Sequence, residues 1–456
     1  MATPGGVDVP GLLDQQKIGR YQIRVAALCA AVVFFDGFDT QVIGNLVPSI
    51  IAEWKVTRPE MTPVGVAGLV GLMIGALALG PLADKIGRRA VIIGSTLAFG
   101  VMTLLTGLLA DSVTGLAVLR FLTGLGLGGA MPNSIAMMAE YAPRRRQATM
   151  VMVMFCGFPV GASFAGFIST HLIQAFGWRS VLYLGGALPI ALVPLLLAEL
   201  PESIRHLVLQ GNQAARVAAI LSRINPALAF PAGTRFAIGE EHGHGVPVGH
   251  LFREGRTAPT VLLWTVFFMS LLNIFLINFW LPTLTHDAGI PLALANMATG
   301  LFQAGGVVST LLGGRAVDAY GSYRVLTPAY VFAGLSIGAL GFAVVSPPLL
   351  LMTATVAGFC LIGGQTGVNA LASTFYPTFI RSTGVGWALG IGRIGSIAGP
   401  GVGGILIALK WPTTAIFIIG GIAALCAAVA LFAMGRTPAA RAQLAAGPSA
   451  VAAPGE

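Results

Sequence analysis

The sequence predicts an all-α membrane protein of twelve transmembrane helices, arranged as two six-helix pseudo-repeats with both termini cytoplasmic. Three observations predict it. Only 9% of the 456 residues are charged and 55% are hydrophobic, with a mean hydropathy of +0.84, whereas a soluble domain carries about a quarter charged residues. Twelve runs reach the length of about 20 mostly apolar residues that a helical span needs. A set of residues also recurs at one fixed offset on either side of a central polar segment, as a duplicated chain requires.

The runs lie at 25–50, 63–83, 90–110, 114–139, 147–173 and 179–199, and then at 258–285, 292–314, 325–345, 348–372, 382–408 and 412–434. Prolines and glycines inside them do not disqualify a span, because neighbouring helices can satisfy a broken backbone ladder. The alternating ten-residue segments of a β-barrel are absent. The connections set the orientation, since cytoplasmic loops carry the excess of Lys and Arg. With the N-terminus inside, cytoplasmic segments hold twenty of the 26 basic residues, and outer segments hold only Lys55, Arg58, Arg179 and Lys410. Arg120 and Arg393 fall within spans. The expected organisation is an N-terminal segment (1–24), a first bundle (25–199), a central loop (200–257), a second bundle (258–434) and a disordered tail (435–456).

The repeat is read from particular residues. Gly80, Asp84 and Gly87 recur as Gly314, Asp318 and Gly321, each 234 positions later, and at the same offset Pro143 meets Pro377 and Gly161 meets Gly395. The net charge of +9 is spread among loops, with no basic face carrying interleaved aromatics, so nucleic acid is not an expected partner. Cys29, Cys156, Cys360 and Cys426 lie in apolar runs without metal or redox spacing. His242, His244 and His250 sit in a Gly-rich loop without a fitting fourth ligand, so no metal or other cofactor is expected. The polar first twenty residues do not suggest a cleavable leader.

The motifs resemble those of major facilitator transporters: "GPLADKIGRRAVII" from Gly80, its weaker copy "GGRAVDAYGSYR" from Gly313, "AEYAPRRR", and "PESIRHL". Within that superfamily, "DGFD" and "YPTFIRSTGVGWALGIGRIGSIAGP" from Tyr376 resemble the aromatic acid:proton symporter family. The resemblance implies uptake of benzoate- or hydroxybenzoate-type anions with a proton. It carries over Asp36, Asp39, Asp84, Arg88, Arg120, Glu140, Asp318, Arg381 and Arg393. Tyr323 and Arg179 stand where relatives can have histidine. The expected setting is a monomer in the inner (plasma) membrane, with a small aromatic carboxylate and a proton as partners.

Asp36 and Asp39 lie three residues apart, hence on one helix face. Each charge at the bilayer centre costs about 2.5–3.5 kcal/mol on insertion scales, so such residues face the bundle interior and mark function. Two neighbouring carboxylates are costly to ionise together, and one of the pair is expected to hold the coupling proton. A structural ion pair is the alternative. An arginine suits the substrate, because its planar fork accepts a carboxylate bidentately; Arg393 is the first choice for its depth and Arg120 the second. Phe34, Phe35, Phe38 and Trp387 are candidates to stack on the ring, and Asn273, Asn278, Gln303, Gln365 and Asn369 to meet its hydroxyls. Asp84, Arg88, Arg89, Glu140, Asp318 and Arg381 form acidic–basic groups at cytoplasmic helix ends, where pairing and release would gate the cycle. The alternatives are an exporter, an importer of another organic anion such as a phenylpropionate or muconate, or a sensor on the same fold. The span-five antiporter motif expected of an exporter is missing, as is the signalling domain expected of a sensor. No nucleophile or cofactor constellation suggests an enzyme.

Overall fold

The computed structural model describes residues 6–226, 228, 230–231, 233–237, 248–253, 255–376 and 380–438. The side chains of residues 144, 145, 148, 314, 315, 318, 381 and 382 are not among those described.

The helices follow the apolar runs closely. After a short helix α1 (Val9–Gln15) come α2 (Arg20–Trp54), α3 (Thr62–Ile86), α4 (Arg88–Leu109), α5 (Val113–Tyr141), α6 (Arg144–Phe155), α7 (Gly157–Phe176), α8 (Arg179–Glu199), α9 (Ile204–Leu209) and α10 (Ala214–Ile224). The second half contains α11 (Thr257–Asp287), α12 (Leu292–Tyr320), α13 (Ser322–Ala343), α14 (Pro347–Phe375), α15 (Arg381–Ala408) and α16 (Thr413–Gly435). Among the described residues, twelve helices are long and apolar enough to cross a membrane. The fifth runs Thr149–Phe176, with a single irregular residue at Cys156 between α6 and α7.

Two features refine the sequence-based expectation. The segment after Pro201, read as a polar connection, contains α9 and α10, and residues 1–24 contain α1. These short helices are held by burial, since isolated helices of this length are marginal in water. Val217, Ile220, Leu221 and Ile224 of α10 join Val9, Leu13 and Tyr21 in one apolar core. A two-residue parallel strand pair, Val7–Asp8 with Phe236–Ala237, ties the same region together, a small β element that apolar periodicity does not predict.

The chain forms two compact units: residues 1–43 with 63–242, and residues 44–62 with 243–456. The repeat is visible in their helices. Both ends of α4 and of α5 recur 234 residues later as the ends of α13 and α14. Gly87 and Gly321 each join two helices alone, with φ of 99° and 86° and ψ of 147° in both. That left-handed backbone is cheap only for glycine. Helix crossings repeat as well. A Cβ on Gly161 would lie 1.8 Å from the Phe34 carbonyl oxygen, and one on Gly395 would lie 2.3 Å from that of Phe268. Similarly, Gly124 abuts the Gly68 carbonyl and Gly358 that of Phe302, at 2.1 and 1.7 Å from an added Cβ. Small residues of this kind let helices approach backbone to backbone where lipid provides no hydrophobic drive between them.

Candidate functional site

Three helices of the first unit converge on Asp39. From α5, the Arg120 Nη1 donates to Asp39 Oδ1 at 3.1 Å, and Nη2 lies 2.8 Å from Oδ2. The same Nη2 also donates to the Asp39 backbone carbonyl at 3.1 Å. From α4, Thr103 Oγ1 donates to Asp39 Oδ1 at 2.5 Å. Asp39 and Thr103 are wholly buried and Arg120 is 3% exposed. Gly68 on α3 lies alongside Arg120, where an added Cβ would make ordinary van der Waals contact with Nε at 3.8 Å. Arg120, the second choice for the substrate carboxylate, holds a carboxylate of the protein in this structure. Thr103 escaped sequence reading because a threonine in an apolar run has no distinguishing signal.

Asp36 is buried one turn earlier on α2 and accepts a long hydrogen bond from Thr40 Oγ1 at 3.4 Å. Between the two acids, Gly37 presses on α7, where an added Cβ would meet the Phe158 carbonyl oxygen at 2.0 Å. Phe38, expected to stack on a ring, is a packing residue: an added Cβ on Gly185 would lie 2.6 Å from its ring, and Phe164 packs alongside at 6.1 Å between centroids. Trp387 is also placed differently from expectation. It is 45% exposed and stacks on Trp264 at 5.8 Å between centroids.

In the second unit, Asn273 is fully buried on α11, and neither of its side-chain atoms makes a hydrogen bond among the described residues. Gln303 Nε2 donates to Asn278 Oδ1 at 3.0 Å, and Gln365 Nε2 to Asn369 Oδ1 at 3.1 Å along α14. Asn45 and Asn296, which sequence reading passed over, are likewise buried without a hydrogen bond among the described residues. Unmet amides of this kind cost about 1–3 kcal/mol each and suit water or a polar ligand. Arg393 is half-buried on α15.

At the other end of the first unit, the signature loop is built into a network. Arg88 Nη2 lies 3.2 Å from Glu140 Oε1. Glu140 Oε2 accepts from Ser203 Oγ at 2.5 Å and from the Arg205 amide at 3.5 Å. Glu202 Oε1 accepts from the Arg89 amide at 3.1 Å, so a carboxylate caps the positive N-terminal end of α4. The Arg89 guanidinium donates to the Leu197 carbonyl. Asp84 is exposed and belongs to no ion pair among the described residues. The side chains of Asp318 and Arg381 lie outside the described set, as do His242 and His244 entirely.

Twelve spans in two repeated halves, with an ion pair buried inside one of them, define a polytopic membrane carrier rather than an enzyme. The chain belongs to the Major Facilitator Superfamily, whose family model matches residues 29–238 and 263–454. It is 42% identical over 430 residues to the gallate transporter of Pseudomonas putida, covering 94% of this chain and 95% of that one. It is 40% identical over 407 residues to the 4-hydroxybenzoate transporter PcaK of the same species, covering 89% and 90%. Its fold is similar to that of a D-xylose–proton symporter, with a TM-score of 0.69 at 18% identity over 90% of this chain and 97% of that one.

Proposed function

We propose that this protein imports hydroxylated aromatic carboxylates together with a proton, by alternating access across the inner membrane, with both termini cytoplasmic. The observation that carries the reading is the buried Asp39–Arg120 pair; the gallate and 4-hydroxybenzoate relatives supply the substrate class. An unpaired buried charge is expensive, so neither partner is released unless its charge is replaced or neutralised. A proton on Asp39 neutralises the carboxylate and frees one edge of the Arg120 fork. The substrate carboxylate then takes that edge, and the site keeps the net charge it had when empty. Neither the proton alone nor the anion alone achieves this, and that is the coupling. Asp36 tunes the site from the same helix. In the second unit, taken by itself, Arg393 is a candidate contact for the anion, and Asn273, whose buried amide has no hydrogen bond among the described residues, is a candidate to meet ring hydroxyls, as are Gln365 and Asn369 on α14.

The test is uptake into proteoliposomes under an imposed pH gradient, with benzoate, 4-hydroxybenzoate, protocatechuate and gallate as competitors. The acids are expected to compete and their primary amides to compete at least about a hundredfold less well. That factor corresponds to losing roughly 3 kcal/mol of charge-assisted hydrogen bonding. Amides competing as well as acids would contradict the reading.

We also assign the Arg88–Glu140–Ser203 network to gating. Glu140→Gln is expected to slow transport about fivefold, the effect of removing about 1 kcal/mol from one conformation, while substrate affinity stays within about twofold. Loss of binding in a normally inserted variant would place Glu140 in the binding site instead.

A further inference from the structure

A cavity of about 930 Å³ opens at the end of the first unit where α2 begins and α8 ends, roofed by α10. Five arginines line it: Arg20 and Arg24 from α2, Arg89 from α4, and Arg216 and Arg223 from α10. Two carboxylates face them, and both are occupied. Glu199 pairs with Arg24, and Glu202 accepts the backbone amides of Arg89 and Ser203. Arg20, Arg216 and Arg223 are left without a carboxylate partner among the described residues. The amphipathic pattern of α10 forces this placement. Its apolar stripe, Val217, Ile220, Leu221 and Ile224, is buried in the core, which turns Arg216 and Arg223 outward. Ile23 and Leu197, next in sequence to the lining residues Arg24 and Ala198, are 57% and 55% exposed. A basic cleft at the end of membrane-spanning helices that carry exposed apolar side chains matches one ligand chemistry, a phosphate oxyanion carrying acyl chains.

We propose that an anionic phospholipid headgroup binds here, its phosphate against Arg20, Arg216 and Arg223 and its chains along Ile23 and Leu197. The lipid would pin α10 to the start of α2, coupling the central segment to the leaflet. This site is independent of the transported substrate and stands or falls separately from the transport reading.

The test measures phosphatidylglycerol affinity of the full-length protein in detergent, and lipid retention by native mass spectrometry from phosphatidylcholine nanodiscs with and without phosphatidylglycerol. The double variant R216Q/R223Q should bind phosphatidylglycerol about twenty-fivefold more weakly, from about fivefold per arginine. R436Q, an exposed arginine change in the second unit, should leave affinity unchanged. If the double variant does not fold, each single variant should show its fivefold loss. Equal retention of phosphatidylcholine, or unchanged affinity in the variants, would overturn the proposal. Displacement of the lipid by inorganic phosphate at equal concentration would do so too, by reassigning the cavity to a soluble anion.

Discussion

Asp39→Asn is expected to abolish uphill accumulation while sparing substrate exchange. Asparagine keeps the volume and can still accept from Thr103, but it cannot carry the proton. For one proton per anion, a gradient of one pH unit supports about tenfold accumulation in the wild type; the variant should only equilibrate. Counterflow, which needs no net proton movement, should persist. Asp36→Asn leaves the Asp39–Arg120 pair in place and should therefore still accumulate substrate, at a reduced rate. Asp39→Asn also leaves the Arg120 charge without its partner, a loss of about 3–5 kcal/mol for buried pairs, so thermal stability should fall. Asp39→Asn/Arg120→Gln, which removes both charges, should recover much of it while remaining inactive. Paired counterflow and pH-driven uptake in the same liposomes decide the matter. Accumulation at the wild-type level in Asp39→Asn would remove Asp39 from the coupling step.

The second large effect is structural. Gly161→Val should nearly eliminate folded protein from the membrane. Its Cβ would lie 1.8 Å from the Phe34 carbonyl oxygen, and backbone cannot rotate aside as a side chain can. Relieving the clash means separating α2 from α7 by more than an ångström, which would also disturb Gly37 and its contact with Phe158. Ordinary overpacking costs about 1–3 kcal/mol, and a backbone clash at a helix crossing should exceed that range. Gly94→Ala on α4 is the matched comparison, since nothing lies within 4 Å of its added Cβ. Fluorescence-detected size exclusion should show a monodisperse peak for Gly94→Ala and little or none for Gly161→Val. Equal peaks would mean that this crossing is looser than its geometry states.

Much of this fold was legible because lipid imposes a simple rule: a span must be long and apolar. That rule located the ends of α8 and nearly those of α4, and the repeated Gly–Asp–Gly spacing located the joints at Gly87 and Gly321. It could not reveal α9 and α10, which are too short for a hydropathy window and owe their form to the core beneath them. The site was legible in part. Charges inside apolar runs singled out Asp36, Asp39 and Arg120, because burial makes such residues costly. Their pairing was not legible, since Asp39 and Arg120 are 81 positions apart and composition carries no azimuth. The same lack of direction misled the reading of Phe38 and Trp387: an aromatic in a span can face a neighbouring helix, a cavity or lipid with the same local sequence.

The bond from Arg120 to the Asp39 main-chain carbonyl has a consequence for timing. That oxygen cannot be titrated, so it remains an acceptor whatever happens to the carboxylate beside it. In the proposed cycle, neutralising the acid would leave the guanidinium tethered at one corner, with no search for a new orientation. An arriving anion would then meet a donor already aimed, and after its departure the carboxylate would find its old partner without a detour. On that reading a single peptide oxygen acts as a hinge pin, so that loading and unloading would exchange one edge of a fixed fork instead of rebuilding the contact each cycle.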